Sequence, residues 1–233
     1  MNEWERAEPG TSRVPLPEIA LHAAVTLCCF WEWVDFAVYL CLGFYGALRC
    51  CEPLRLRRRH LLLPRDLCSS TPTAFVVIEK SKTALAAHAR QVARVQHVRI
   101  VQADVVQLLD AYAGNLSPST FLFRFDEEGR RERWNALFGD KLGFCVQHLR
   151  GVTPASLRAG GATAEYIRCN SVEAARDKLR HLPNSRSTLR YCQEAVAALS
   201  VAAIAPDQRD AIATFAAATP AAVAGLTRRL RER

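Results

Sequence analysis

No CxxC pair and no Cys/His cluster at zinc-ligand spacing occurs in the 233 residues, although the chain has nine cysteines. That excludes a zinc-stapled fold. The count is odd, and Cys28-Cys29 and Cys50-Cys51 are adjacent pairs. Most cysteines lie in apolar helical segments, where the thiol behaves as a small hydrophobe. Reduced thiols in an intracellular compartment are the simplest account. The opening Met1-Asn-Glu-Trp-Glu-Arg6 has mixed charge and no apolar signal core. The longest apolar run, Phe36 to Leu48, is too short to span a bilayer, and Glu32 and Asp35 stand just before it. A buried core helix is expected there, with no membrane partner. Internal repeats and clustered carboxylates are also missing. The charged fraction, 23%, is too low for a disordered chain.

What is present is a basic chain, half hydrophobic, with a formal net charge of +8. Its length suits one domain with appendages, and it holds enough apolar residues for a sizeable core. The charge favours a polyanionic partner, nucleic acid first and an acidic membrane surface second. Composition equally allows a soluble domain that is merely basic.

Residues 1–14 read as an irregular tail broken by Pro9-Gly10. Pro15 and Pro17 introduce an apolar stretch over 18–48 with the periodicity of one or two helices. A short turn over Cys50–Leu56 runs into the basic cluster Arg55-Leu-Arg-Arg-Arg-His60. Ala74–Ile78 and Val95–Val101 are strand-like, which predicts a small antiparallel sheet with Lys82 at the end of its middle strand. Asp104–Ala113 reads as helix, Asn115–Ser119 as a turn, and Phe121–Phe125 as an aromatic strand or extended piece. Further helices are expected over 131–149, after a Thr153 cap, and over 171–181 behind an Asn170/Glu173 capping box. Another starts at Ser187 and carries Tyr191 on its first turn. The segment after Pro206 is Ala-rich, with one proline at 220. The fold class is α+β, mainly helical.

Four segments carry candidate chemistry, in this order: Gly46-Ala-Leu-Arg-Cys-Cys-Glu52, Ile78-Glu-Lys-Ser-Lys-Thr83, Thr153-Pro-Ala-Ser-Leu-Arg-Ala-Gly-Gly-Ala-Thr163 and Ser185-Arg-Ser-Thr-Leu-Arg-Tyr-Cys-Gln-Glu194. Two arginines, a lysine and a tyrosine suit phosphoryl transfer. Guanidinium groups hold non-bridging phosphate oxygens bidentately, a lysine can protonate a leaving oxygen, and a tyrosine can form a covalent intermediate. Taken singly, each is ordinary: a solvated Arg49, a loop Lys82, a packing Tyr191. Two glycines early in a helix after Arg158 cost stability, which makes sense where a backbone approaches something closely.

In this order and spacing, residues 18–200 resemble the catalytic domain of the tyrosine recombinases, the phage-integrase family. The resemblance implies a domain over 15–204 without a complete N-terminal core-binding domain, and a helical tail over 205–233. It implies DNA breakage and rejoining through a 3′-phosphotyrosyl intermediate, needing no cofactor and no metal. Tyr191 would be the nucleophile, Arg49 and Arg158 the transition-state clamps, and Lys82 the general acid. Glu52 would brace the Arg49 turn. Arg55, Arg57, Arg58, Arg59, Lys80, Arg186 and Arg190 would follow the DNA phosphate backbone, which positions DNA without reading sequence. The implied partner is DNA, with a homo-tetramer on two duplexes. The location would be nuclear in a eukaryote and cytoplasmic otherwise. The tail would pack on a neighbouring protomer or on its own core.

The pattern is broken in two places. The histidine of the family's His-x-x-Arg motif is Ala155, and the His or Trp expected nine residues before the nucleophile falls at Leu182, with His181 next door. His181 is therefore the candidate for the hydrogen-bonding role beside the phosphate. Two other readings stand: an inactive DNA-binding remnant of a recombinase, and a helical protein-interaction module.

Overall fold

The computed structural model describes residues 14–79, 95–144, 151–182 and 186–232. It is an α+β fold, mainly helical, with one small antiparallel sheet. The apolar stretch splits into α1 (Glu18–Phe30) and α2 (Val34–Tyr45). Every residue of α2 from Phe36 to Tyr45 is buried, so α2 is apolar all round because it is the central helix of the core. Phe36 stacks on Tyr39 at 5.5 Å between ring centroids, and Phe123 and Phe125 meet these rings edge-on. The segment around Phe121 is extended rather than a sheet strand. Its one bridge joins Phe121 to Arg57.

The sheet is β1 (Leu61–Leu62), β2 (Ala74–Ile78) and β3 (Gln96–Ile100), in that spatial order and antiparallel throughout. Ala74, Val76 and Ile78 alternate toward the core, so one face is buried and the register is held. The expected middle strand is indeed β2. Lys80 and Lys82, beyond its end, lie outside the described residues.

α3 (Ala103–Ala113) packs on α2. α4 (Glu127–Trp134) begins four residues before the expected helix, capped by Asp126, whose carboxylate accepts from Gly129 N at 2.9 Å. It runs on as a π-helical turn over Asn135–Lys141. α5 (Ser156–Cys169) has Ala155 at its N-cap and no side-chain cap, so Thr153 does not cap it. The backbone N–H of Thr153 instead donates to Ser156 Oγ at 3.0 Å. Asn170 ends α5 in the left-handed conformation (φ 47°). Ser171, not Asn170, caps α6 (Val172–Lys178), accepting from Ala174 N at 3.2 Å.

The glycines of α5 meet protein backbone. A Cβ on Gly161 would fall on the carbonyl oxygen of Phe44, and one on Gly160 on that of Leu16. They let α5 lie directly against the end of α2 and the entry to α1. Tyr191 follows a 3-10 turn over Arg186–Arg190 rather than riding on an α-helix, and α7 (Glu194–Ala202) starts after it.

α8 (Pro206–Arg231) folds back along α1 and α3, so the tail lies on its own core. Pro220 sits inside it without ending it, although it has no N–H for the Ala216 carbonyl. The hydroxyl of buried Thr26 on α1 reaches the Phe215 carbonyl and Thr219 Oγ1, both at 2.9 Å. That cross-link holds α8 to α1 one turn before the proline. α8 is the one described helix with the length and mean hydropathy to cross a membrane; its buried side, including Ile212, Val223 and Leu226, rests on the core.

Candidate functional site

The chain leaves α2 through Gly46, and Ala47 takes a left-handed conformation (φ 43°) before Arg49. Glu52 closes this turn. Its carboxylate accepts from Arg49 N and from Arg49 Nη1, both at 2.8 Å. Buried Arg130 on α4 donates to the Cys50 carbonyl at 2.8 Å, which fixes the turn from the other side. The predicted brace on Arg49 is therefore present as geometry, with Arg130 as a second brace.

Arg158 lies on the first turn of α5, 3% exposed. Its Nη1 donates to the Ala47 carbonyl and its Nη2 to the Leu179 carbonyl, so it ties the Arg49 turn to the end of α6. Burial, then the charges of Arg180 and Arg49, lower its pKa to about 10. It stays charged at neutral pH.

The end of α6 sets the next two residues. Arg180 N donates to Asp177 O at 2.9 Å and His181 N to Arg176 O at 3.1 Å, which closes the helix with Arg180 left-handed (φ 56°). Glycine is the usual residue at such a position. Arg180 instead sends its guanidinium to Glu52, at 2.7 Å. The turn delivers His181 to the site. His181 Nε2 is 3.4 Å from Arg158 Nη2, and Nδ1 is 3.2 Å from Thr188 Oγ1. Leu182 is 46% exposed and does not pack there.

Tyr191 lies over this cluster. Its ring meets His181 edge-on at 5.5 Å and sits 5.7 Å from the Arg158 guanidinium carbon. It packs against Ala47, Ala162 and Leu179. Thr163 on α5 donates its hydroxyl to the Tyr191 carbonyl at 2.7 Å and accepts from Gln193 N at 3.3 Å.

Burial, then Arg158, Arg49 and Arg180, lower the His181 pKa to about 4. The imidazole is neutral at pH 7. Because Arg158 can only donate, Nε2 accepts and Nδ1 carries the proton toward Thr188. Burial pushes the Glu52 carboxyl up, but Arg180 and the Arg49 hydrogen bonds outweigh it and hold it below its ordinary range. Three guanidinium groups therefore face one carboxylate, an excess of two positive charges. Such an excess of positive charge is complementary to an anion.

A cavity of about 450 Å³ opens beside Arg49, lined by Arg55, Arg57, Arg59, His60 and Glu79 at the end of β2. Arg55 and Arg59 are exposed at it. Arg57 lies over the Phe121 ring at 3.6 Å and also donates to the Ser119 carbonyl. Arg58 corrects the expectation: it is 8% exposed, donates to Leu61 O at 2.6 Å and pairs with Asp66 at 2.8 Å. It holds β1 and has no free face for DNA. Arg190 is exposed on the 3-10 turn, whereas the Arg186 side chain lies outside the described residues.

The structure brings together Arg49, Glu52, Arg158, His181 and Tyr191. It adds Arg180, Arg130, Thr163 and Thr188, which sequence reasoning missed. Only Arg180 had a cue, its place directly before His181. Among the described residues, no three His, Cys, Asp or Glu side chains gather to hold a metal ion. No family model and no curated protein matches the chain.

Proposed function

We propose that the chain breaks and rejoins DNA in the manner of a tyrosine recombinase. The observation that carries the reading is the convergence of Arg49, Arg158, His181 and Tyr191 around Glu52, from four separate stretches of sequence. The Tyr191 phenol gives up its proton to water and its oxygen attacks the scissile phosphorus; a 3′-phosphotyrosyl bond forms as the phosphorus–5′-oxygen bond breaks, and the 5′-oxygen leaves with a proton. Arg49 and Arg158 stabilise the charge that builds on the non-bridging oxygens. Lys82 donates the proton to the leaving oxygen. Neutral His181, whose Nε2 accepts from Arg158, orients that guanidinium. The reverse attack by a 5′-hydroxyl rejoins the strand. Arg55 and Arg59, at the cavity beside Arg49, meet the neighbouring backbone phosphates. The partner is DNA, and recombination calls for a homo-tetramer on two duplexes.

A second reading, a DNA-binding remnant, is favoured by one specific observation. Both Arg158 Nη atoms are engaged by carbonyl groups, and Ala155 replaces the expected histidine.

The test is a pool of nicked suicide duplexes of randomised sequence, run on a denaturing gel after incubation. A covalent protein–DNA band is expected that disappears completely in Tyr191→Phe. Lys82→Ala should weaken the band by about 10²- to 10⁴-fold. Salt-sensitive DNA binding without any band supports the remnant. Absence of DNA binding at every salt concentration sinks both.

A further inference from the structure

Arg180 does something its backbone conformation discourages. A residue with a Cβ seldom adopts φ near +56°, and such strain persists where the surroundings demand that side chain. The side chain itself is 9% exposed and pairs with Glu52 at 2.7 Å through Nη2. Its Nε and Nη1 are buried with no hydrogen-bond partner, and so is Nε of Arg158. Orphaned guanidinium donors beside a site with excess positive charge are the complement of an anionic oxygen.

The two signature arginines leave room for such a role. Arg49 gives one Nη to Glu52, and Arg158 spends both Nη atoms on carbonyl groups. Glu52 joins Arg49 and Arg180 through its two oxygens, so these guanidinium groups stand on either side of one carboxylate.

We infer that Arg180 is a third phosphate-binding residue of this site, holding a phosphate oxygen that Arg49 and Arg158 do not cover. The inference rests on the phosphodiester reading above and deepens it. It also assigns the left-handed arginine a purpose: glycine would relieve the backbone but remove the charge.

The experiment uses the full chain and inorganic phosphate as the probe, at constant ionic strength set with chloride. Affinity is read by calorimetry and stability by thermal melting. Arg180→Gln should weaken phosphate binding about tenfold, in line with the loss of a charged hydrogen bond. The surface variant Arg131→Gln should leave it unchanged. Arg180→Lys, which keeps a cation opposite Glu52, should bind severalfold more weakly than the wild type and carries the test if the glutamine variant does not fold. A purely structural Arg180 would lower the melting temperature while the folded protein bound phosphate normally. That result, or a wild type that binds phosphate no better than chloride, overturns the inference. The suicide-duplex assay run alongside separates the two readings. Arg180-dependent phosphate binding without a covalent DNA band keeps this inference and removes recombination. A covalent band with Arg180-independent phosphate binding does the reverse.

Discussion

Phe36, Tyr39 and Phe44 lie wholly inside against other rings, whereas beyond the exit of the same helix charged side chains, Glu52, Arg158 and Arg180, are buried beside apolar ones. The first interior is held by apolar burial, which is non-directional and adds up contact by contact. The second is held by a few directed bonds, and each buried cation is costly unless a partner is present. One interior tolerates a change of neighbour; the other does not. The contrast also separates the scaffold from the candidate site. α2 supplies the scaffold, and the turns at its end and at the end of α6 carry two of the five left-handed non-glycine residues among the described residues, Ala47 and Arg180.

Equal damage to the two interiors breaks the comparison most sharply. Phe36→Ala should cost about 3–5 kcal/mol by creating a cavity. Glu52→Ala should cost about as much, roughly 3–5 kcal/mol, by leaving Arg49 and Arg180 unpaired. Urea unfolding measures both. Added phosphate should restore part of the Glu52→Ala loss and none of the Phe36→Ala loss. Identical responses to phosphate would show that the second interior is not an anion site.

Acid is a gentler probe. The folded pKa of His181 is depressed from 6.5 to about 4, so the unfolded chain binds more protons between those values. Stability from the neutral imidazole is present above pH 6.5 and is lost as pH falls toward 4. Glu52, held below its ordinary range, loses its contribution at still lower pH, as its carboxylate protonates. His181→Gln should flatten the slope in that window, while Phe36→Ala should shift the whole curve down without changing its shape. Chemical denaturation across pH checks both.

The smallest expected effect lies at a polar link inside the oily region. Thr26→Val removes the hydroxyl that bonds Phe215 O and Thr219. It should cost about 1 kcal/mol, seen as a small drop in the urea midpoint.

The oily interior was legible in the sequence because periodicity reports burial. The apolar stretch after Pro17, the β-branched run Ala74–Ile78 and the Asp104–Ala113 pattern each became the elements they suggested. Element ends were less legible. Ser171 rather than Asn170 caps α6, because Asn170 was taken by the left-handed exit of α5. Pro220 stays within α8, because tertiary contact with α1 outweighs a single lost hydrogen bond. In the charged interior, Arg49, Arg158 and Tyr191 could be named from motif order, yet Arg58 and Arg180 were misjudged or missed. A basic residue in a run looks the same whether it faces solvent or a buried carboxylate. Only the folded chain shows that Arg58 answers Asp66 and Arg180 answers Glu52.

The hydroxyl of Thr163 has a mechanical consequence. If Tyr191 joins a DNA end as proposed, it would bear whatever tension that strand transmits. Thr163 Oγ1 donates to the Tyr191 carbonyl and accepts from Gln193 N, which clips the chain directly after Tyr191 to α5. A pull on such a tether would then pass into α5 through Thr163. Arg158 stands on the same helix as Thr163, so tyrosine and guanidinium would move together under such a load.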